Sequence, residues 1–302
     1  MPVAFHLLAH KDPVQLGRLL DALWAPENVF VVHYDRRRPK AEHRAVAALA
    51  AGRPNIVIQT PTAVLWGRYS LIRAQLVGLE LALRHPLPWT HWVNLSGQCF
   101  PLRTPGEIAS RLAAVPTTSF VRSFDPLGPG SDWPDASTRL ARRRLDSPTL
   151  EWWLRLPGLG RRLRRFFGGA SAIPSLPLRS PRPTPWFRWY GGDNWVVLSR
   201  TAATRLVSPE GRAITEWLRT TAFPEESVFQ SVVRNAPDVG TIENTHLRHI
   251  NWRDGQASPQ TFRAADLPRL RAAADHGALF ARKFDPSVDS AVLSALPFPP
   301  RP

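Results

Sequence analysis

The chain has 302 residues, 43% of them hydrophobic and including 12 Trp and 14 Phe, which is enough to bury a sizeable core and too apolar for a disordered chain. Its single cysteine, Cys99, excludes an intramolecular disulfide and suits a reducing compartment. The formal charge of +15 is carried almost wholly by Arg, since the lysines are Lys11, Lys40 and Lys283 alone.

Val3–Ala9 is a short apolar run that reads as a first buried strand. It is too short to span a bilayer and has no charged flank, so the expectation is a cytosolic, bacterial chain. Leu16, Leu19, Leu20 and Leu23 give helical spacing from about Pro13 to Trp24. Asn28–His33 is rich in β-branched and aromatic residues and ends at Tyr34-Asp35; a helix over about 40–51 and a strand over 55–59 follow. Leu71, Leu76, Leu79 and Leu83 predict a helix from Ser70 to Arg84, and His91–Leu95 a strand closing on Ser96-Gly97. Strand–helix alternation of this kind implies an α/β fold with a mainly parallel central sheet flanked by helices. Ligands of such sheets gather at the carboxyl ends of strands, where Asp35 and Ser96-Gly97 fall.

The pattern breaks over residues 126–185, a Pro- and Arg-rich insertion within one domain of 1–302. Between Ala136 and Tyr190 stand twelve Arg against two acids, Asp146 and Glu151, interleaved with Trp152, Trp153, Phe166 and Phe167. A localised basic stretch points to one anionic contact surface, a membrane or a polyanion, or else to a solvated loop. On that reading the chain sits in the cytoplasm, peripheral at the membrane if 136–185 binds lipid. The localisation, with no recognised binding motif, argues against a nucleic-acid partner. Order returns with a strand over Trp195–Leu198, helices over 201–207 and 214–220, a helix from Pro224 to about Asn235, a strand over 246–252, a helix within 262–274, and a last helix near 287–296.

No P-loop, no G-x-G-x-x-G after a strand, no metal-ligand spacing of Cys and His and no D-x-D occur, so a metal site is not expected. A diphosphate handled here would need side-chain cations, and Arg282-Lys283 between apolar flanks supplies a planar donor fork and a point charge; a solvated dibasic is the alternative. Glu225-Glu226 after Pro224 fits a helix N-terminus for capping and dipole reasons alone, and equally fits a general base. Trp66-Gly67 and Gly191-Gly192-Asp193-Asn194-Trp195 can form walls for a sugar ring or simply tight, packed turns. His10, His33, His246 and His249 read as packed or surface residues.

Taken in order, AFHLLAHKDPVQLGRLL, VVHYD, WGRYS, WVNLSGQCFPLRT, GGDNWVVLSR, PEESVFQSVVRNAP, LRHINW, SPQTFRAADL and LFARKFD resemble the core-2/I-branching N-acetylglucosaminyltransferase and peptide O-xylosyltransferase family, its xylosyltransferase branch above all. The resemblance spans most of the chain outside the insertion. It implies a GT-A-like fold and an inverting, metal-independent glycosyltransferase without cofactor. The donor would be UDP-xylose or UDP-N-acetylglucosamine, and the acceptor a hydroxyl on a glycan, peptide or lipid-linked glycan. By matching position it assigns Glu226 as catalytic base, Arg282 and Lys283 to the diphosphate, and Asp35 to the uridine side of the donor. Trp66, Gly67, Asp193, Trp195, Glu225, Arg248 and Trp252 would lie around donor or acceptor. Two departures stand out: Asn194 where the xylosyltransferase pattern has Asp, and Ala257 where the branching enzymes carry a phosphate-holding Arg, a loss for which Arg248 or Arg263 could compensate. A basic membrane-surface or nucleic-acid-binding protein without catalysis is the rival class.

Overall fold

The computed structural model describes residues 1–144, 158, 175–177, 186–252 and 258–298. Among the described residues twelve strands run in chain order: β1 (Val3–Ala9), β2 (Val29–Tyr34), β3 (Ile56–Ile58), β4 (His91–Ser96), β5 (Cys99–Pro101), β6 (Ser119–Phe124), β7 (Arg142–Arg144), β8 (Ser175–Pro177), β9 (Gly191–Ser199), β10 (Ile242–Glu243), β11 (Arg248–Ile250) and β12 (Phe280–Arg282). Seven of them form the central sheet in the order β10-β6-β9-β4-β1-β2-β3. The ladders among β4, β1, β2 and β3, and that between β10 and β6, are parallel, while β9 runs antiparallel to both its neighbours, so the sheet is mainly but not wholly parallel.

Alternation along each strand feeds two cores. From β1, Phe5 and Leu7 join one with Phe30, Val32, Val93 and Leu95, under the helices Pro13–Ala22, Pro105–Ala113 and Leu267–Asp275. Ala4, Val29, Val31, Trp92 and Val196 join the other, under Tyr69–Arg84, Arg200–Leu206, Pro209–Leu218 and Val228–Arg234. Truncating a side chain as buried as Phe5 to Ala costs about 3–5 kcal/mol in such cores. The helix Tyr69–Arg84 approaches so closely that a Cβ on Gly78 would lie 2.2 Å from the ring of His6, which is itself bonded to Gln59 (Nε2 to Oε1, 3.1 Å).

Local chemistry sets several helix ends. Asp12 Oδ1 accepts from Gln15 N at 2.9 Å to start Pro13–Ala22, and Thr104 with Glu107 forms a capping box at Pro105–Ala113. That helix and β6 stand in a stretch that the alternating pattern covered without resolving. The helix expected from Pro224 to Asn235 is broken. Phe223 takes the left-handed conformation (φ 47°, ψ 60°), Pro224–Glu226 is a 3-10 turn, and Val228–Arg234 is helical only after Ser227 at φ −136°.

A second sheet, β11-β12-β5, sits at the carboxyl end of β4. β5 begins three residues after β4, and β12 pairs with it antiparallel, Arg282 opposite Cys99. The C-terminal part of the chain is thereby carried to the strand ends of its first half. Of the basic insertion, β7 and β8 pair antiparallel and Ala136–Ala141 is helical. Residues 145–157, 159–174 and 178–185 of it, including the aromatic residues of the proposed membrane contact, lie outside the described residues, as does Ala257. Among the described residues no helix is long and apolar enough to cross a membrane.

Candidate functional site

Asp35 follows β2 and is 2% exposed. Its Oδ1 accepts from Arg37 N (2.9 Å) and Nε (3.0 Å), and its Oδ2 from Arg37 Nη2 (2.9 Å) and Val64 N (3.2 Å). Burial alone would raise the carboxyl pKa, but these four donors outweigh it and leave Asp35 below its ordinary value. A carboxylate offers about four lone-pair positions, so Asp35 is saturated. Its visible effect is to fix Arg37 and the segment leading to Trp66.

Cations gather where β1, β4 and β12 end. Lys11, just past β1, pairs with Asp285 (Nζ to Oδ2, 2.6 Å). Arg282 Nη1 donates to Ser96 Oγ, and its guanidinium lies 4.9 Å from the centroid of Trp195. Lys283 Nζ reaches Ser258 Oγ at 3.3 Å. Burial, then the charges of Arg282 and Lys11, depress the Lys283 pKa against the pull of Asp285. Burial followed by Lys11 and Arg282 likewise depresses His10. The part of this depression that Arg282 and Lys11 cause in Lys283 and His10 is what a bound anion would relieve.

Behind them Arg248 is 5% exposed, its guanidinium 4.8 Å from the centroid of Trp195 and 5.5 Å from that of Phe280. Nη2 donates to Asn94 O at 2.8 Å, while Nε and Nη1 have no hydrogen-bond partner among the described residues. Burial brings its pKa down to about 10, which leaves it charged at neutrality. Trp195 therefore touches two guanidiniums, contacts each worth about 0.5–2 kcal/mol.

The carboxylates stand at the start of β9. Asp193 Oδ2 meets Arg122 Nη1 at 3.2 Å and His246 Nε2 at 3.4 Å, and its backbone oxygen accepts from Gln230 Nε2 at 2.5 Å. Asp193 shares a face of β9 with Trp195, two residues on. Gly192 allows this crowding, since a Cβ there would lie 2.1 Å from Arg122 O. Glu226, on the 3-10 turn, has a side chain 34% exposed and pairs through Oε2 with Arg139 Nη1 at 2.9 Å. Burial raises its pKa, Arg139 opposes the rise, and the charges of Asp193 and Asp135 add to it. The Trp66 ring, 74% exposed, meets Phe223 edge-on at 5.0 Å.

The structure thus brings Arg282, Lys283, Trp195, Asp193 and Glu226 to one edge of the central sheet. Arg282 stacks on Trp195, and Asp193 lies near enough to Glu226 to perturb it. Trp66, with Gly67 beside it at φ 66°, flanks the turn that carries Glu226 through Phe223. The other candidates divide. Glu225 is buried, at 4% exposure, which separates it from its neighbour Glu226. The Asn194 side chain accepts from Gln75 Nε2 at 3.0 Å, and its backbone oxygen from Asn94 Nδ2 at 2.7 Å, so it braces β9 against Tyr69–Arg84 and β4. Trp252 stands 56% exposed beyond β11.

Sequence reasoning missed Lys11, Arg37, Arg122, Arg139 and Phe223. Lys11 carried a readable signal, a base directly after the first strand; Arg139 carried none. Reading His246 as a packed or surface residue missed its contact with Asp193 (Nε2 to Oδ2, 3.4 Å). Among the described residues no group of three or more His, Cys, Asp or Glu is arranged so that it could hold a metal ion.

The family model for the Core-2/I-branching enzyme matches residues 3–270. Xylosyltransferase oxt of Drosophila melanogaster is 28% identical over 93% of this chain and 31% of its own length, and xylosyltransferase 2 of Homo sapiens 27% identical over 98% and 33%. The chain therefore spans about a third of the length of these relatives. A beta-1,3-galactosyl-O-glycosyl-glycoprotein beta-1,6-N-acetylglucosaminyltransferase 4 of Danio rerio is 23% identical over 98% of this chain and 68% of its own length.

Proposed function

We propose that this chain, which belongs to the Core-2/I-branching enzyme family, is an inverting glycosyltransferase that moves xylose or N-acetylglucosamine from a UDP-sugar to an acceptor hydroxyl without a metal ion. The acceptor hydroxyl gives its proton to Glu226 while its oxygen bonds to C1 of the sugar. The bond from C1 to the diphosphate breaks on the opposite face, its electron pair leaves with UDP, and the anomeric configuration inverts. Lys11, Arg282 and Lys283 stabilise the charge growing on the diphosphate, with Arg248 adding positive potential from behind. Asp35 contributes by ordering Arg37 and the 62–66 segment, since its own oxygens are taken.

The observation that carries this reading is geometric. At the carboxyl ends of β1 and β4, Arg282 bonds Ser96 and stacks on Trp195, with Lys283 depressed by burial and by Arg282 and Lys11. Asp193, on the same face of β9 as Trp195, lies beside Glu226, whose pKa burial raises. Opposed shifts of this kind suit a site that stabilises a departing anion and removes a proton at once. Aligned electrostatic donors are worth about 100- to 1000-fold in rate each, and a general base roughly 100- to 10,000-fold.

The test is UDP release from a panel of UDP-sugars, with and without EDTA. Turnover of a UDP-sugar that persists in the chelator is the expected result. Activity lost in EDTA and restored by manganese would overturn the cationic clamp. A polyanion- or membrane-binding protein without catalysis would release no UDP from any donor.

A further inference from the structure

Arg139 belongs to the stretch read from sequence as a basic insertion, yet its guanidinium reaches the carboxylate of the 3-10 turn. Its side chain is 15% exposed and bridges two acids, with Nη1 to Glu226 Oε2 and Nε to Asp135 Oδ1, both at 2.9 Å. Its plane is held by aromatic rings, the centroid of Trp133 at 4.3 Å and that of Phe223 at 5.0 Å. Both rings are fixed in turn. Trp133 packs where Gly191 has no side chain, a Cβ there lying 2.8 Å from it, and touches Phe124 and Trp189 at 5.1 and 5.7 Å. Phe223 is held in a left-handed backbone conformation that costs a non-glycine residue roughly 1–2 kcal/mol. A guanidinium caged in this way loses little further freedom when it binds a carboxylate.

We propose that Arg139 is a positioning residue for the transfer reaction: it claims Oε2 of Glu226, holds the carboxylate ionised in a half-buried setting, and leaves Oε1 to the acceptor hydroxyl. The inference rests on Glu226 being the base. It also makes the 126–141 segment part of the active site and not an appendage to it. Among the described residues, the charges that act on Glu226 most strongly are those of Arg139, Asp193 and Asp135. β9 presents Asp193, itself paired with Arg122 and His246, and the helix Ala136–Ala141 with its lead-in presents Arg139 and Asp135. On Tyr69–Arg84, Tyr69 lies among the charges of Glu216, Arg219 and Arg73, and Arg234 at the end of Val228–Arg234 is bonded to Ser123. Against the burial that raises the Glu226 pKa, Arg139 is the strongest opposing charge, and Asp135 works in the opposite sense to Arg139.

The two neighbours therefore predict shifts of opposite sign in the acid limb of the kcat/KM profile. An opposite charge at this distance holds a carboxyl down by about one to three units, so Arg139→Met moves the limb upward by about that much, with turnover recovering as pH rises past it. Arg139→Lys returns the limb part of the way. Asp135→Asn, at a side chain 55% exposed and safe for folding, moves it downward. Calorimetry of UDP binding to each variant controls for loss of fold. Limbs unmoved in both Arg139→Met and Asp135→Asn, or Arg139→Met activity lost equally at every pH, would overturn the proposal. Glu226→Gln separates the two claims. If it kept full turnover, the base assignment itself would fall; if it were inactive while the limbs stayed fixed, only the role of Arg139 would fall.

Discussion

Replacing Glu226 by glutamine tests both the chemistry and the electrostatics of the site. The glutamine amide has the same shape and its oxygen can still accept from Arg139, so the donor-binding cations are undisturbed. What is lost is the ability to take a proton, worth roughly 100- to 10,000-fold. At about 1.36 kcal/mol per factor of ten, that is about 2.7–5.5 kcal/mol of barrier. Stability should move the other way. The folded carboxyl keeps its proton to higher pH than the unfolded one because burial outweighs the pull of Arg139. Ionised Glu226 therefore destabilises the native state, not at all below the unfolded pKa and fully above the folded one. Glu226→Gln removes that penalty, so its melting temperature at pH 7 should equal or exceed that of the parent, with the gain vanishing near pH 4. UDP release, UDP calorimetry and thermal melts at the two pH values measure the three quantities. Turnover within threefold of the parent would refute the assignment and leave Asp193 as the candidate, since Glu225 is buried. A clearly lower melting temperature at pH 7 would refute the electrostatic part.

Two further outcomes follow from contacts around the site. Gly192→Ala places a methyl carbon 2.1 Å from Arg122 O and 2.9 Å from the Gln230 side chain, and overpacking of this order costs about 1–3 kcal/mol, readable as a lower urea midpoint. An unchanged midpoint would show that β6 and β9 can separate there without cost. Lys11→Met removes the hydrogen bond that does most to hold Asp285 down at about 2; the parent's advantage should be full above the ordinary Asp value of 3.8 and fade as pH falls towards about 2. Denaturant midpoints at pH 7 and pH 2 measure this, and an equal gap at both would discount the ion pair.

The sequence by itself determined the elements as far as β4 and the ends of those strands. Apolar runs at Val3–Ala9 and Val29–Tyr34, and leucines at helical spacing, are signals written within windows of about ten residues. They were enough to place Asp35 and Ser96-Gly97 at carboxyl ends. Only the tertiary structure decided that β9 enters antiparallel, setting Asp193 and Trp195 beside β4, and that β12 returns Arg282 to Ser96. It also separated Glu226 from Glu225, because the helix that uniform capping chemistry predicted is replaced there by a 3-10 turn ending at the non-helical Ser227. Lys11 and Asp285 are 274 positions apart, and Arg139 and Glu226 87 apart. No local propensity encodes such pairs. They are fixed by how sheets and helices pack, and the charge field that makes a site out of ordinary Arg, Lys and Glu residues exists only once they have packed.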